Sequence, residues 1–278
     1  LRALDVITFF GLEPTSDPCR WRMPIVPGII SGTGALFGGC GLGACIKVAE
    51  QVTGRRLLWA TAQYLSYARP PSVLELDVRE VVSGHQTSQV RVIAHVGDEE
   101  ILTVLGALGE RPSPFDGQWA LRPTVPPPDD CPARPLLARH SGTMMSRFEM
   151  RLADARSIDD LPGTPGNGRS ALWVRLPEVP EMEASALAII GDLVPFGIGQ
   201  ALGRRAGGNS LDNTLRVAHR VPTRWVLADV RVHAIADGYG HGLVHLWADD
   251  GMLLGTASQS VIVRAWKDEP PPKEEVPG

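Results

Sequence analysis

Val73-Leu-Glu-Leu-Asp-Val-Arg79 returns further along the chain as Trp225-Val-Leu-Ala-Asp-Val-Arg231, at a domain-sized offset of about 150 residues. Both stretches alternate apolar and polar positions and carry β-branched residues, which is the pattern of a half-buried strand. The surroundings repeat as well. Ala68-Arg-Pro-Pro71 precedes the first copy and His219-Arg-Val-Pro222 the second, and a glycine turn follows each, at Ser83-Gly84 and Asp237-Gly238. Next come two more alternating runs, Gln89-Val-Arg-Val-Ile-Ala-His95 and Gly242-Leu-Val-His-Leu-Trp-Ala248. Acidic turns, Gly97-Asp-Glu-Glu100 and Asp249-Asp-Gly251, lead each copy into a last strand of small and apolar residues.

Upstream of each strand set lies one stretch with helical spacing. Gly34–Thr53 has a glycine-rich entry and Gly54 as a C-cap, and Ser185–Leu202 is interrupted by Pro195, which must kink or end it. Each half therefore predicts one helix followed by an antiparallel meander of about four strands, with a further short strand from Thr164–Arg175 in the second half. A helix wrapped by a curved antiparallel sheet is the hotdog arrangement. The expected class is α+β, a tandem hotdog whose two sheets can join into one. The expected layout is a first domain over 1–110, a proline-rich linker over 111–140, a second domain over 141–266 and a disordered tail over 267–278. Eight prolines between Arg111 and Leu136 support an extended, solvated linker. The tail is short of apolar residues to offset its ordering entropy.

Composition narrows the function classes. With 278 residues, 44% hydrophobic and 21% charged, the chain reads as globular and soluble, and a net charge of −4 gives no pull toward nucleic acid. The weakly charged run Met23–Cys45 is too rich in Gly and Pro for a membrane span. Leu1-Arg-Ala-Leu-Asp5 opens no signal peptide, and a chain without an initiating Met reads as trimmed. Cys19, Cys40, Cys45 and Cys131 form no C-x-x-C pair and have no His at zinc-ligand spacing, so reduced cytoplasmic thiols and no metal are expected.

Gly38-Gly-Cys-Gly-Leu-Gly43 is the most conspicuous glycine run. It fails the G-x-G-x-x-G spacing, and no βαβ series follows it, so a dinucleotide site is rejected. Glycine there suits a helix N-terminus that approaches its surroundings closely. In the second half, polar residues interrupt apolar elements: Asp192 in Ala186-Leu-Ala-Ile-Ile-Gly-Asp-Leu-Val194, Ser210 in Gly208-Asn-Ser-Leu-Asp-Asn-Thr214, and Gln259 in Gly255-Thr-Ala-Ser-Gln-Ser-Val-Ile-Val263. Singly, each reads as a cap, a turn or an exposed strand position. At an offset of about 150, Ser210 falls opposite Trp59-Ala60 and Gln259 opposite Ala107-Leu108, so the first half lacks this polar set. Such asymmetry suits one active site per fused pair.

From about Trp21 to Arg264 the chain resembles the acyl-CoA thioesterase II family of double-hotdog enzymes. Phe37-Gly38-Gly39-Cys40 stands where that family has Phe-Gly-Gly-Gln, and Tyr67-Ala68-Arg69-Pro70 matches its aromatic-x-Arg-Pro pattern. The family's helix Asp, its Thr-x-Asp and its last-strand Gln correspond to Asp192, Ser210-Leu211-Asp212 and Gln259. The resemblance implies hydrolysis of acyl-CoA to a fatty acid and CoA, without a cofactor, by a water held between Asp192, Ser210 and Gln259. Cys40 departs from the motif Gln. A shorter loop before Ser210 makes Thr214 the alternative hydroxyl.

In that chemistry Asp192 is the general base and the neutral pair orients the water. Backbone amides at the Gly38–Cys40 helix entry are expected to meet the oxyanion, and Tyr67 and Arg69 to contact substrate. Arg69, Arg204, Arg205 and Arg220 are available for the CoA phosphates, and the acyl chain is expected between helix and sheet. No G-x-S-x-G elbow is present. Two other readings fit the same fold: a hotdog enoyl-CoA hydratase, whose His would fall at position 197 (glycine here), and a non-catalytic acyl-CoA or lipid binder. Exposed strand edges are expected to favour a homo-oligomer.

Overall fold

A computed structural model describes residues 3–266, so the predicted tail over 267–278 lies outside the described residues. The first half comprises α1 (Val6–Phe10), β1 (Glu13–Pro14), β2 (Arg20–Ile25), α2 (Gly38–Thr53), β3 (Leu57–Tyr64), β4 (Ser72–Ser83), β5 (Thr87–Val96) and β6 (Glu99–Gly109). The second comprises β7 (Glu149–Asp154), β8 (Arg169–Arg175), α3 (Ala184–Gly191), α4 (Val194–Leu202), β9 (Ala206–Ser210), β10 (Asp212–Val217), β11 (Val226–Ala236), β12 (Tyr239–Ala248) and β13 (Leu253–Ala265).

All the strands belong to one antiparallel sheet in the order β1-β2-β4-β5-β6-β3-β10-β13-β12-β11-β8-β7, with β9 paired to β13. The halves meet where β3 pairs with β10. Thr61 lies opposite Thr214 there, and the two hydroxyl oxygens are 2.7 Å apart across a sequence separation of 153 residues. The flanking pairs, Gln63 with Asp212 and Trp59 with Arg216, exchange under that same offset. The sheet is therefore a pseudo-twofold pair centred on the two threonines. This offset corrects the sequence comparison: Ser210 corresponds to Leu57 and Gln259 to Gly106, while Asp192 corresponds to Gly39. The first half still carries none of the three polar groups.

The helices differ from the sequence expectation in an informative way. In the first half, helix α2 begins at Gly38, with Phe37 as its N-cap, and ends at Gly54, whose φ of 66° no β-carbon favours. The predicted Ser185–Leu202 helix is two helices. It breaks at Asp192 (φ −82°, ψ 49°), and Pro195 sits in the first turn of α4, where its missing N–H has no intrahelical acceptor to lose. Only α4 plays the part of α2, lying on β8, β11, β12 and β13. The preceding α3 instead packs antiparallel against α2. Glycines permit that approach: a β-carbon on Gly39 would lie 2.8 Å from the Ala188 carbonyl oxygen, and one on Gly43 2.7 Å from that of Ser185. The stretch Ala184–Leu202 is apolar enough to span a membrane, yet 78% of it is buried inside the protein, as a core helix would be.

The linker is more ordered than its prolines imply. Residues 111–127 contain neither helix nor strand and leave Phe115, Trp119 and Leu121 exposed. Their end nevertheless covers the outer face of the second half, where the Pro126 carbonyl accepts from Trp173 Nε1 at 2.9 Å. Cys131 joins Trp173, Trp225 and Trp247 in a small second core. Ala133 bridges to Arg151 and so shields the β7 edge, while β1 at the other end has two residues.

Candidate active site

The break between α3 and α4 turns the Asp192 side chain toward the entry of α2. Gly191, the last residue of α3, lies so close to β13 that a β-carbon would sit 2.7 Å from that of Ala257. Helix α3 ends here, ahead of the Pro195 turn that starts α4, and the carboxylate points across the pseudo-twofold. There the Gly39 N–H donates to Asp192 Oδ2 at 2.7 Å. This amide belongs to the first turn of α2, where N–H groups lack intrahelical acceptors and the helix dipole favours an anion.

Two second-half side chains complete the cluster. Gln259 on β13 donates through Nε2 to Asp192 Oδ1 and to Ser210 Oγ, the latter at 2.9 Å. Its Oε1 accepts from the Val194 N–H at 3.1 Å, which fixes the amide so that the nitrogen faces the carboxylate. Ser210, the last residue of β9, donates to Asp192 Oδ1 at a long 3.4 Å. Asp192 is only 6% exposed. Burial pushes its carboxyl up to about 6, and the hydrogen bonds from Gln259, Gly39 and Ser210 pull in the opposite direction. A carboxylate titrating there is ionised at neutral pH yet more basic than a surface Asp, which suits a general base. Three of its roughly four lone-pair directions are occupied, leaving one on Oδ2 for a water.

The other residues singled out in the sequence take different places. Gly38 and Gly39 adjoin the carboxylate, but the expected use of the Gly39 and Cys40 amides is corrected. The Gly39 N–H is already bonded to Asp192, and the Cys40 N–H donates to the Phe37 carbonyl at 2.9 Å, so neither amide is free for an oxyanion. The Cys40 side chain is fully buried in the core, and burial pushes its thiol up. Thr214 is bonded to Thr61 at the pseudo-twofold; its position in the sheet centre suits a structural hydroxyl. Tyr67 accepts from Asn209 Nδ2 at 2.7 Å, one residue from Ser210, and its ring lies 5.7 Å from the Arg69 guanidinium. Arg69 in turn donates to the Thr33 carbonyl at 2.9 Å, tying the rim to the segment that enters α2. The arginines suggested for phosphates are dispersed: Arg205 bonds to the Leu161 carbonyl and Arg220 to that of Leu57. Sequence reasoning missed Tyr64 and Asn213, both beside this cluster. Nothing in their local sequence marks them, because they arrive there through the pairing of β3 with β10.

Among the described residues, no group of three His, Cys, Asp or Glu side chains is placed to hold a metal ion. A groove of about 1320 Å³ lies at the far end of α2, between Gly54, Met182 and Arg220, and Asp192 does not line it.

The chain matches the acyl-CoA thioesterase N-terminal domain over residues 26–109 and the acyl-CoA thioesterase C-terminal domain over residues 128–263. The chain belongs to the acyl-CoA thioesterase family. A solved protein from Novosphingobium aromaticivorans, provisionally classed as a thioesterase, is 31% identical with a TM-score of 0.81, over 91% of this chain and 98% of its own. A hot dog fold protein of unknown function from Alicyclobacillus acidocaldarius aligns with a TM-score of 0.81 at 20% identity, over 94% of this chain and 98% of its own. The acyl-CoA thioesterase II TesB2 of Mycobacterium marinum aligns with a TM-score of 0.70 at 18% identity, over 95% and 99%. At such identities the last two speak for the fold, which is the double hotdog of this family. Among curated proteins, no sequence matches the chain.

Proposed function

We propose that this protein hydrolyses acyl-CoA thioesters, with Asp192 activating a water that Ser210 and Gln259 help to orient. The observation that carries the proposal is the convergence of Ser210 and Gln259, from two separate strands, on the buried Asp192 carboxylate held by the opposing half's helix entry. The fused halves then divide the work: residues 1–110 supply the α2 entry, residues 141–266 supply the water-activating set, and 111–140 joins them. Tyr67 and Arg69 form the rim where substrate enters. The free thiols of all four cysteines suit a reducing compartment such as the cytoplasm. Self-association belongs to the same proposal and would use faces other than the shielded strand edges.

The hydratase reading meets a steric obstacle. A β-carbon at Gly197 would lie 2.6 Å from Val230 Cγ1, so the position that would carry the second acid–base group is filled by the sheet. The non-catalytic reading leaves the raised basicity of Asp192 without a use.

The test is thiol release by the intact chain from a series of saturated acyl-CoAs, run beside hydration of an enoyl-CoA. Release of stoichiometric CoA from the saturated series is expected. Tight acyl-CoA binding without release, or hydration alone, would overturn the proposal.

A further inference from the structure

The cluster around Asp192 contains a base and two groups to hold a water, but none of its three side chains has a donor to spare for the charge that develops on the substrate. As the water oxygen bonds to the thioester carbon, the carbonyl π pair moves onto oxygen, and that oxyanion needs a donor already in place. Two of the three amides expected to serve, those of Gly39 and Cys40, are occupied by Asp192 and by the Phe37 carbonyl.

Two unpartnered polar side chains lie next to the cluster. Tyr64 ends β3, and its N–H donates to the Leu211 carbonyl at 3.0 Å, which anchors it beside Ser210. Its hydroxyl is shielded from solvent and makes no hydrogen bond of ordinary geometry. Asn213, on β10, is fully buried with neither its oxygen nor its nitrogen partnered, and its amide neighbours the phenol oxygen. Such orphaned groups are costly in an interior unless a ligand engages them. Gly38 fixes where the hydroxyl lies. A β-carbon there would sit 2.9 Å from Asp192 Oδ2 and 3.1 Å from Tyr64 Oη, so both oxygens press on one point of the helix entry. A thioester reacting at Asp192 therefore meets the Tyr64 hydroxyl.

We propose that Tyr64 is a further catalytic residue, donating its hydroxyl hydrogen bond to the thioester oxygen in the transition state, and that Asn213 is the residue that positions that hydroxyl. The inference rests on the thioesterase reading above. In the reaction, water adds to the carbonyl carbon, Asp192 takes its proton, and the oxyanion is held by Tyr64. On collapse the C–S bond breaks, the sulfur leaves with its electron pair, and the proton on Asp192 passes to it, giving the acid and the CoA thiol. Burial, followed by the negative field of Asp192, pushes the Tyr64 phenol well up, so it remains a neutral donor throughout the working range.

The experiment compares steady-state kinetics of the wild type, Tyr64→Phe, Asn213→Ala and the double variant on one acyl-CoA that the wild type hydrolyses. Tyr64→Phe keeps the ring and is expected to lower kcat by about 10²–10³-fold, the loss typical of one oxyanion donor, with KM within a few-fold. Asn213→Ala is expected to lower kcat alone, and to add little in the Tyr64→Phe background, because it acts through the same hydroxyl. As a second probe that preserves the fold, 3-fluorotyrosine at position 64 retains the hydroxyl and is expected to restore most of the lost kcat. Unchanged kcat in Tyr64→Phe, or loss not restored by the fluorotyrosine, overturns the role of Tyr64. Multiplicative losses in the double variant overturn that of Asn213. A wild type inert toward every acyl-CoA overturns the thioesterase reading and this inference together, an outcome distinct from an active wild type indifferent to Tyr64.

Discussion

Replacing Asp192 by Asn removes a buried charge, and the consequence for stability has a sign that differs from that of most carboxylates in folded proteins. The folded-state pKa is raised from 3.8 to about 6 because burial disfavours the ionised form more than three donors favour it. A group raised in this way contributes stability that is fully present below its unfolded value and is lost as pH rises through the folded one. The wild type thus loses stability between about pH 4 and 6 that the Asn variant does not lose. A shift of about two units, at roughly 1.4 kcal/mol each, amounts to about 3 kcal/mol. For a chain of this size that corresponds to roughly 6–12 °C in Tm. Asn also turns an N–H₂ toward a group that donates to Asp192, at a cost of about 1–3 kcal/mol, but that cost does not vary with pH. The assay is urea unfolding of both proteins from pH 4 to 7.5, taking the difference in unfolding free energy at each pH. Titrations common to both cancel in the difference, which is expected to move by about 3 kcal/mol in favour of Asn and then level off above pH 6.5. A difference that stays flat, or that moves toward the wild type, would refute the assignment of a raised pKa to Asp192.

Other outcomes follow from the same geometry. Gly39→Ala forces a methyl against the Ala188 carbonyl and the Ile189 backbone, both 2.8 Å away, and should cost about 1–3 kcal/mol in thermal or urea unfolding while severely reducing CoA release. Ser210→Ala should lower kcat, whereas Thr214→Ala should leave it within about two-fold, since Thr214 is bonded to Thr61 and not to the carboxylate. Gln259→Glu places a second carboxyl at hydrogen-bond distance from the first. The two cannot both ionise at little cost, so the acidic limb of kcat/KM, set near pH 6 by Asp192, should move to higher pH.

The repeat made the fold legible because each strand set depends on local alternation, and local alternation survives in a single sequence. Val73–Arg79 falls within β4 and Val226–Arg231 within β11, pairing with β5 and β12 as the hairpin turns between them require. The two helices were harder to read. Apolar content is continuous from Ala184 to Leu202, so periodicity shows one helix, and only Pro195, which cannot continue α3 and opens α4 instead, marks the break that leaves Asp192 between them. The site was half legible for the same reason. Asp192, Ser210 and Gln259 were visible as polar residues in apolar surroundings. Their junction with Gly39 depends on a fold-wide pseudo-twofold, and that symmetry emerges only from strand register. The orphaned hydroxyl of Tyr64 and the amide of Asn213 had no sequence signature, since being unpartnered is a property of the packed interior.

The most direct test of the central claim is CoA release by Asp192→Asn at pH 7.5, measured together with its affinity for a non-hydrolysable acyl-CoA thioether. Loss of a general base should lower kcat by about 10²–10⁴-fold, and thioether binding should stay within a few-fold of the wild type. Full activity in the variant would contradict the account, because the water would then be activated by some group other than the carboxylate at the meeting point of the two halves.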